Sequence, residues 1–443
     1  MSAAGTGEEA SRHPRTRAHA PCHCRKSQRH PFPLFISPRD MPAASALPTP
    51  RHARGRTGPA DRPRPARGTL TPASTPNPKE GGAPPPVKQR RLDQESYYDI
   101  ERIIEFDFVR ATEAGALNSF HWLGRGEKEL GDAAACDAIR GTFDIMYICG
   151  EVVIGEGIKD NAPGIFKGEH LGQWLPNAPR FDIALDPVDG TTNLAKGLPN
   201  SISVIAAASP EPGIDVALQD IPAFYMTKLA YGPKVKQHAQ KTGIDCLKLN
   251  DPIDESLPYI ARVLRKRLQD LIVCVLDRPR HKALVEKVRD LGCSLRMISD
   301  GDISAAIAPS LPDSGIDVYI GIGGSPEAVL AAAAIKCLGG EIQAQMWPRD
   351  DAEKEELIAN GYGEELNRVY YSDDLAKGKN IIFCATGISD SPLIPGIKHQ
   401  GNTAITQSIL MRARHKTIRY IRTHHNLSEK TIRLRSSKKE HYL

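Results

Sequence analysis

Five times in this chain a short apolar run is followed within five residues by a carboxylate, often beside glycine, and no other feature restricts the fold as much. Val152-Val153-Ile154 runs into Gly155-Glu156, and Phe181 to Leu185 into Asp186-Pro187. Leu271 to Leu276 leads to Asp277, Leu295 to Ile298 to Asp300-Gly301-Asp302, and Val318 to Ile322 to Gly323-Gly324-Ser325-Pro326-Glu327. Apolar runs of this length bounded by turn residues are strands, and helical stretches lie between them. Strands alternating with helices indicate an α/β fold, whose ligands gather at the strand ends. The acidic residues are therefore expected where chemistry takes place.

The folded region is expected to span residues 96–435, as two α/β halves divided near residue 240. From Tyr97 to about Trp122 the positions Ile103, Ile104, Phe108, Val109, Ala111, Leu117 and Phe120 follow helical spacing. A second helix is expected to start at Asp132, an N-cap carboxylate ahead of Ala133-Ala134-Ala135. Near the other end, the alternation Thr417-Ile418-Arg419-Tyr420-Ile421-Arg422 reads as a final strand with one charged face, and residues 436–443 as a flexible terminus.

Residues 1–95 read as a disordered basic tail, because residues 1–92 hold 17 of the 35 prolines and no periodicity, and such a segment cannot bury enough apolar area to offset its chain entropy. Its Arg-rich, acid-poor composition fits either a plastid transit peptide or upstream sequence read from a misassigned start. Residues 1–91 carry 17 Lys and Arg against five acidic residues, so although the whole chain is at +5 the remainder is at −7. An acidic body is a poor partner for nucleic acid. With no apolar run approaching the roughly 18 residues a bilayer requires, no membrane partner is expected and the cytoplasm is the expected location. The nine cysteines are scattered and fall mostly in apolar stretches, as reduced thiols do. Cys22-His23-Cys24 is too tightly spaced for a zinc knuckle.

The segment Asp186-Pro187-Val188-Asp189-Gly190-Thr191-Thr192-Asn193 says most about chemistry. An apolar strand delivers Asp186, proline is expected to stop the ladder, and a second carboxylate follows at a glycine turn. Carboxylates this close repel unless a cation separates them, and hard ions such as Mg²⁺ and Mn²⁺ prefer oxygen ligands. Read alone, the same segment is also a turn in which Asp189-Gly190 supplies only backbone geometry.

Several further strings occur in order: Trp122-Leu123-Gly124-Arg125-Gly126-Glu127-Lys128 with Asp132, Val153-Ile154-Gly155-Glu156-Gly157, Phe224-Tyr225-Met226, Arg278-Pro279-Arg280-His281, Ser299-Asp300-Gly301-Asp302, and Gly321 to Glu327. With the Asp186 segment they resemble the lithium-sensitive metal-dependent phosphatases, and more closely the class II (GlpX-type) fructose-1,6-bisphosphatases, some of which also accept sedoheptulose 1,7-bisphosphate. The resemblance runs from about Ile104 to Arg422. It implies a layered α/β/α/β sandwich, a homo-oligomer, and hydrolysis of the 1-phosphate of a sugar bisphosphate by metal-activated water.

Carried over by position, the resemblance implies that Asp132, Glu156, Asp186, Asp189 and Glu327 ligate Mn²⁺ or Mg²⁺. It implies substrate contacts at Asp189, Gly190, Thr191, Tyr225, Arg278, Pro279, Arg280, Asp300, Gly301, Asp302 and Gly324. Thr191 and Asp132 are expected in catalysis, with Lys128 steadying a phosphate. Arginine suits a phosphate that is bound but not cleaved, and Asp300 and Asp302 can accept hydrogen bonds from sugar hydroxyls. The chain departs from the family pattern at Ile158, where another glutamate is usual, and at Asp189, where glutamate is frequent. Three rivals stay open at this point: an inositol-monophosphatase-like enzyme, a non-catalytic sugar-phosphate sensor, and a C-terminal nucleic-acid arm from Arg412 to Lys439.

Overall fold

The computed structural model describes residues 100–155, 164–242 and 247–435. The tail expected over 1–95, the terminus expected over 436–443, and the positions Glu156, Ile158, Cys22 and Cys24 lie outside these residues. The strands are β1 (Cys149–Ile154), β2 (His170–Leu171), β3 (Arg180–Asp189), β4 (Ile202–Ala208), β5 (Tyr225–Tyr231), β6 (Ile272–Leu276), β7 (Ser294–Ile298), β8 (Val318–Gly324), β9 (Glu341–Met346), β10 (Tyr370–Tyr371), β11 (Ile381–Gly387), β12 (Lys398–Gln400), β13 (Thr403–Arg412) and β14 (Thr417–Asn426). The five apolar runs of the sequence are β1, β3, β6, β7 and β8.

The strands form an eight-stranded sheet, ordered β12-β13-β11-β4-β3-β1-β2 with β14 also on β13, and a six-stranded sheet, ordered β10-β9-β5-β8-β6-β7. The chain moves to the second sheet between Ala208 and Tyr225 and returns to the first at Ile381, so a single division near residue 240 does not coincide with either crossing. The return is set by pairing: β11 lies antiparallel between β4 and β13, with all seven of its residues buried. β14, at the margin, alternates half-buried and exposed residues along most of its length, which makes it a strand with one solvated face.

Helices and sheets stack in a layered α/β sandwich, as expected, with helices also on the outer face of the second sheet. The outer helices Ile100–Ser119 and Lys128–Phe143 cover the first sheet through a core containing Phe108, Ile139, Phe143, Phe181, Ile183 and Ile205. Phe108 meets Phe143 and Phe181 edge-on at 6.0 and 5.7 Å, contacts worth about 0.5–1.5 kcal/mol each beyond area burial. Between the sheets runs Ser325–Leu338, whose middle from Ala328 to Ile335 is apolar and buried on every side, as a helix packed between two sheets must be. The far face of the second sheet, with Leu229, Val273 and Val275, is covered by helices that contribute Val235, Leu257, Ile260 and Val288.

Two local expectations are corrected. The second helix starts at Lys128 and has Glu127 at its cap, because Lys128, Glu129 and Leu130 are good helix formers and the helix extends back to the turn at Gly126, whose φ is +81°. Asp132 is therefore a residue of the helix interior. Pro187 does not end β3 either. The ladder to β4 pairs Asp186 with Val204 and Asp189 with Ile202, so three steps on β3 oppose two on β4 and proline sits in a bulge.

Candidate active site

The bulge sets the geometry of the first wall. Asp186, buried, folds its side chain back so that Oδ1 accepts the Val188 N–H at 3.0 Å. Asp189, the last residue of β3, is 4% exposed. Gly190 then takes φ +89°, and a Cβ there would collide with the carbonyl of Asn200. Only glycine lets the chain turn directly from Asp189 into the helix Thr191–Lys196. Thr191, half-buried, opens that helix.

The second wall comes from the other sheet. β8 ends in Gly323-Gly324, and Pro326 starts the helix that carries Glu327. Glu327 is partly exposed as a residue, but its Oε2 is buried without a hydrogen-bond partner. The glycines are required by these neighbours: a Cβ at Gly324 would strike the Glu327 carboxylate, and one at Gly323 would strike Asp302 Oδ2. Asp302 begins the helix Asp302–Ile307, and its Oδ2 accepts from Lys228 Nζ at 2.8 Å and from the Tyr319 hydroxyl at 3.3 Å.

Asp300 joins the walls. Its Oδ2 accepts the Thr192 N–H at 3.1 Å from the first sheet's side, while its Oδ1 lies 3.4 Å from Arg278 Nη2. Arg278 also donates to the carbonyl of Ser299. Arg280 donates through Nη2 to the carbonyl of Ile322 at 2.8 Å and lies 4.9 Å over the ring of Tyr225. Tyr225 is paired across the sheet with Gly324. Pro279 is an exposed corner between the two arginines, followed by buried His281, whose Nδ1 meets the carbonyl of Leu276 and whose Nε2 accepts the Ile322 N–H, both at 2.7 Å. Its pKa is lowered, by burial first and by Arg280 and Arg278, so the ring is neutral and braces both strands.

The electrostatics are strongly one-sided. Burial pushes the Asp189 carboxyl well up, and the charges of Asp302, Glu327 and Asp300 add to it, with Lys228 opposing. Glu327 is pushed up to about 7, by burial first and then Asp302, again with Lys228 opposing. Such a set is stable only with additional positive charge. Asp189 Oδ2 and Glu327 Oε2, both buried and without hydrogen-bond partners, are the atoms in want of it. Hard carboxylate oxygens are the donors that Mg²⁺ and Mn²⁺ take, so the residues fit a divalent ion chemically. Among the described residues no three His, Cys, Asp or Glu side chains alone form a metal-holding group, and the remaining expected ligand, Glu156, is outside those residues.

The expected site residues thus divide. Asp189, Tyr225, Arg278, Arg280, Asp300, Asp302, Gly324 and Glu327 converge. Asp132 lies on a helix that packs against β3 and against Thr191–Lys196, and Gly131 beside it fits closely against Leu194 and Trp122. Its Oδ2 is 3.9 Å from Cys136 Sγ. Lys128 is exposed, 3.4 Å from Glu129.

Sequence reasoning passed over three residues of the site. Lys228, three positions after Tyr225, is 1% exposed. Asn193 and Asn200 bind the walls together. Asn200 Nδ2 donates to the carbonyls of Asp300 and Gly301 at 2.6 and 2.8 Å, and Asn193 Nδ2 donates to that of Asp300 at 3.2 Å while its Oδ1 accepts from Ser299 Oγ at 2.6 Å. The only sequence signal for them was the place of Asn193 in the Asp186 segment.

Known proteins match this sequence over nearly all the described residues. The family model for the bacterial, glpX-encoded fructose-1,6-bisphosphatase matches residues 102–425. The chain is 40% identical over 341 residues to the class 2 fructose-1,6-bisphosphatase of Haemophilus influenzae, covering 74% of this chain and 98% of that protein. It is 36% identical over 342 residues to fructose-1,6-bisphosphatase 1 class 2 of Escherichia coli strain K12, covering 75% and 97%.

Proposed function

The chain belongs to the glpX-encoded family of fructose-1,6-bisphosphatases, and on that premise we propose that it hydrolyses the 1-phosphate of fructose 1,6-bisphosphate to fructose 6-phosphate and inorganic phosphate, a step of gluconeogenesis. The observation that carries the reading to this chain's own residues is the carboxylate set Asp189, Asp300, Asp302 and Glu327, which faces Lys228 and lies beside Arg278 and Arg280.

A divalent ion, Mn²⁺ or Mg²⁺, held by Asp186, Asp189 and Glu327 with Asp132 and Glu156, would neutralise these carboxylates and polarise the phosphoryl oxygens. Arg278 and Arg280 bind the 6-phosphate, Asp300 and Asp302 accept from the sugar hydroxyls, and Tyr225 lies against the substrate. The Thr191 hydroxyl orients a water in line with the 1-phosphate. As the water oxygen bonds to phosphorus, the bond from phosphorus to the C1 oxygen breaks; that oxygen keeps the electron pair and gains a proton, so one water is consumed and no phosphoenzyme forms. The described cysteines are free thiols, and burial pushes the pKa of Cys274 up to about 12 and that of Cys384 up as well, opposite to what a cysteine nucleophile needs. Among the described residues no helix is long and apolar enough to cross a membrane. A cytoplasmic location and a homo-oligomeric state belong to the proposal on the family resemblance alone.

The test is phosphate release from fructose 1,6-bisphosphate, sedoheptulose 1,7-bisphosphate and inositol 1-phosphate, each with Mn²⁺, Mg²⁺ or EDTA. Metal-dependent release from fructose 1,6-bisphosphate is expected. Release from inositol 1-phosphate alone, or from none of the three, rejects the reading.

A further inference from the structure

Side chains alternate across β5. Met226 and Ala230 face the layer between the sheets and are fully buried there, while Leu229 and Tyr231 face the outer helical layer. Lys228 falls in the row of Met226 and Ala230 at the centre of the strand, and it is 1% exposed. An ammonium in such a row is strongly destabilising unless it is paired, and an apolar residue of similar volume commonly gives a fold at least as stable. The position therefore calls for an explanation other than packing.

The pairing supplies one. Lys228 Nζ lies 2.8 Å from Asp302 Oδ2, and the Tyr319 hydroxyl approaches the same oxygen at 3.3 Å. Burial and the charge of Asp302 raise the Tyr319 pKa, so the phenol remains a donor. Gly323 gives the pair its room: a Cβ there would collide with Asp302 Oδ2 and stand 3.0 Å from Lys228 Nζ. The other charges facing this point are carboxylates, Asp189, Asp300 and Glu327. Among the described residues, both hydrogen bonds to the Asp302 carboxylate go to Oδ2 and none goes to Oδ1.

We infer that Lys228 is a positioning residue for sugar recognition: with Tyr319 it fixes one oxygen of the Asp302 carboxylate and so holds the other toward the hydroxyls of the bound sugar. The inference rests on the substrate class proposed above. It assigns Lys228 to binding of the sugar common to substrate and product, and not to the phosphoryl step.

The test uses the full chain with Lys228→Met and Tyr319→Phe, the second of which removes only a hydroxyl. Steady-state kinetics with fructose 1,6-bisphosphate are set beside calorimetric binding of fructose 6-phosphate in EDTA, a readout independent of turnover. Lys228→Met is expected to raise KM about tenfold and to weaken fructose 6-phosphate binding by a similar factor, with kcat changed less than about threefold. Tyr319→Phe shifts both in the same direction by about threefold, and it decides the matter should Lys228→Met fail to fold. Wild-type affinity for fructose 6-phosphate in both variants, with only the melting temperature lowered, overturns the inference, as does a fall in kcat with KM and product affinity intact. A wild-type protein that binds fructose 6-phosphate but releases no phosphate from the bisphosphate would reject the proposed reaction and leave the Asp302 result to be judged on binding.

Discussion

Two buried polar clusters in this molecule are handled in opposite ways. Beneath the helix Ile100–Ser119, Glu105 is met by Arg412 at 3.6 Å and Arg419 at 3.3 Å, Glu113 accepts from Thr423 at 2.6 Å and Thr406 at 3.3 Å, and the hydroxyls of Thr112, Thr386 and Ser408 form a chain with 2.8 Å links. At the strand ends, Asp189, Asp300, Asp302 and Glu327 share Lys228 and Arg278, and two buried carboxylate oxygens have no hydrogen-bond partner. In the first cluster Glu105 Oε2 and Arg419 Nη1 also lack hydrogen-bond partners, but two arginines balance the charge of Glu105, and the cluster joins helix to sheet. The second is left short of positive charge, which is the condition for binding a cation and a phosphate. Burial alone therefore does not separate structural from functional polar groups; the local balance of charge does.

The contrast can be broken from either side. The largest effect is expected at the site: Asp189→Asn should lower kcat/KM by about 10³-fold, while the melting temperature holds or rises because a repelled buried charge has gone. Phosphate release and a thermal melt on the same sample measure both, and a loss of stability together with activity would place Asp189 among the structural groups. On the other side, Arg412→Met should destabilise the fold by about 3 kcal/mol, because Glu105 keeps its burial and loses a partner. Urea unfolding is the measurement, and kcat/KM per folded molecule should not change.

Divalent ions sharpen the comparison further. Mn²⁺ or Mg²⁺ at a hundredfold excess over its Kd should stabilise the wild type by about 2.7 kcal/mol. Arg412→Met should keep that increment and Asp189→Asn should lose most of it, as read from melts with and without EDTA. A pH-dependent effect concerns His425, whose Nε2 stands 2.8 Å from Thr406 Oγ1 in the structural cluster. Burial lowers its pKa from 6.5 to about 4. The unfolded chain then binds the proton first, so stability is complete above pH 6.5 and declines as the pH falls toward 4, by at most about 1.4 kcal/mol per unit. His425→Gln should flatten that slope in unfolding curves taken across the window.

Much of this was legible in the sequence, for a definite reason. A strand that ends in glycine and a carboxylate declares both its direction and its functional end, so Asp189, Asp300, Asp302 and Glu327 could be marked before any contact was known. Lys228 could not, because a lysine within a strand ordinarily reads as a solvent-facing residue and its burial depends on the sheet across from it. Asn193 and Asn200 reach a segment about a hundred residues away, and no local pattern records such a contact. The helix containing Asp132 begins a turn before that cap residue, because good helix formers precede it. Pro187 does not stop its strand, because a bulge lets the strand pass through proline.

The position of β11 has a consequence for how the protein is made. Its neighbour β4 is finished early in synthesis, yet the register that completes it pairs Ala208 with Ile381 and Ile202 with Gly387. Until that distant segment leaves the ribosome, β4 has an unpaired flank, and every strand of the six-stranded sheet is translated in the interval. Contacts of such sequence separation form slowly and leave edges open to wrong partners. A nascent chain halted between Glu327 and Ile381 would already contain Asp189, Asp302 and Glu327 but would lack an interior strand of the sheet that carries the first of them, so its dependence on protection by chaperones should be greatest in that interval.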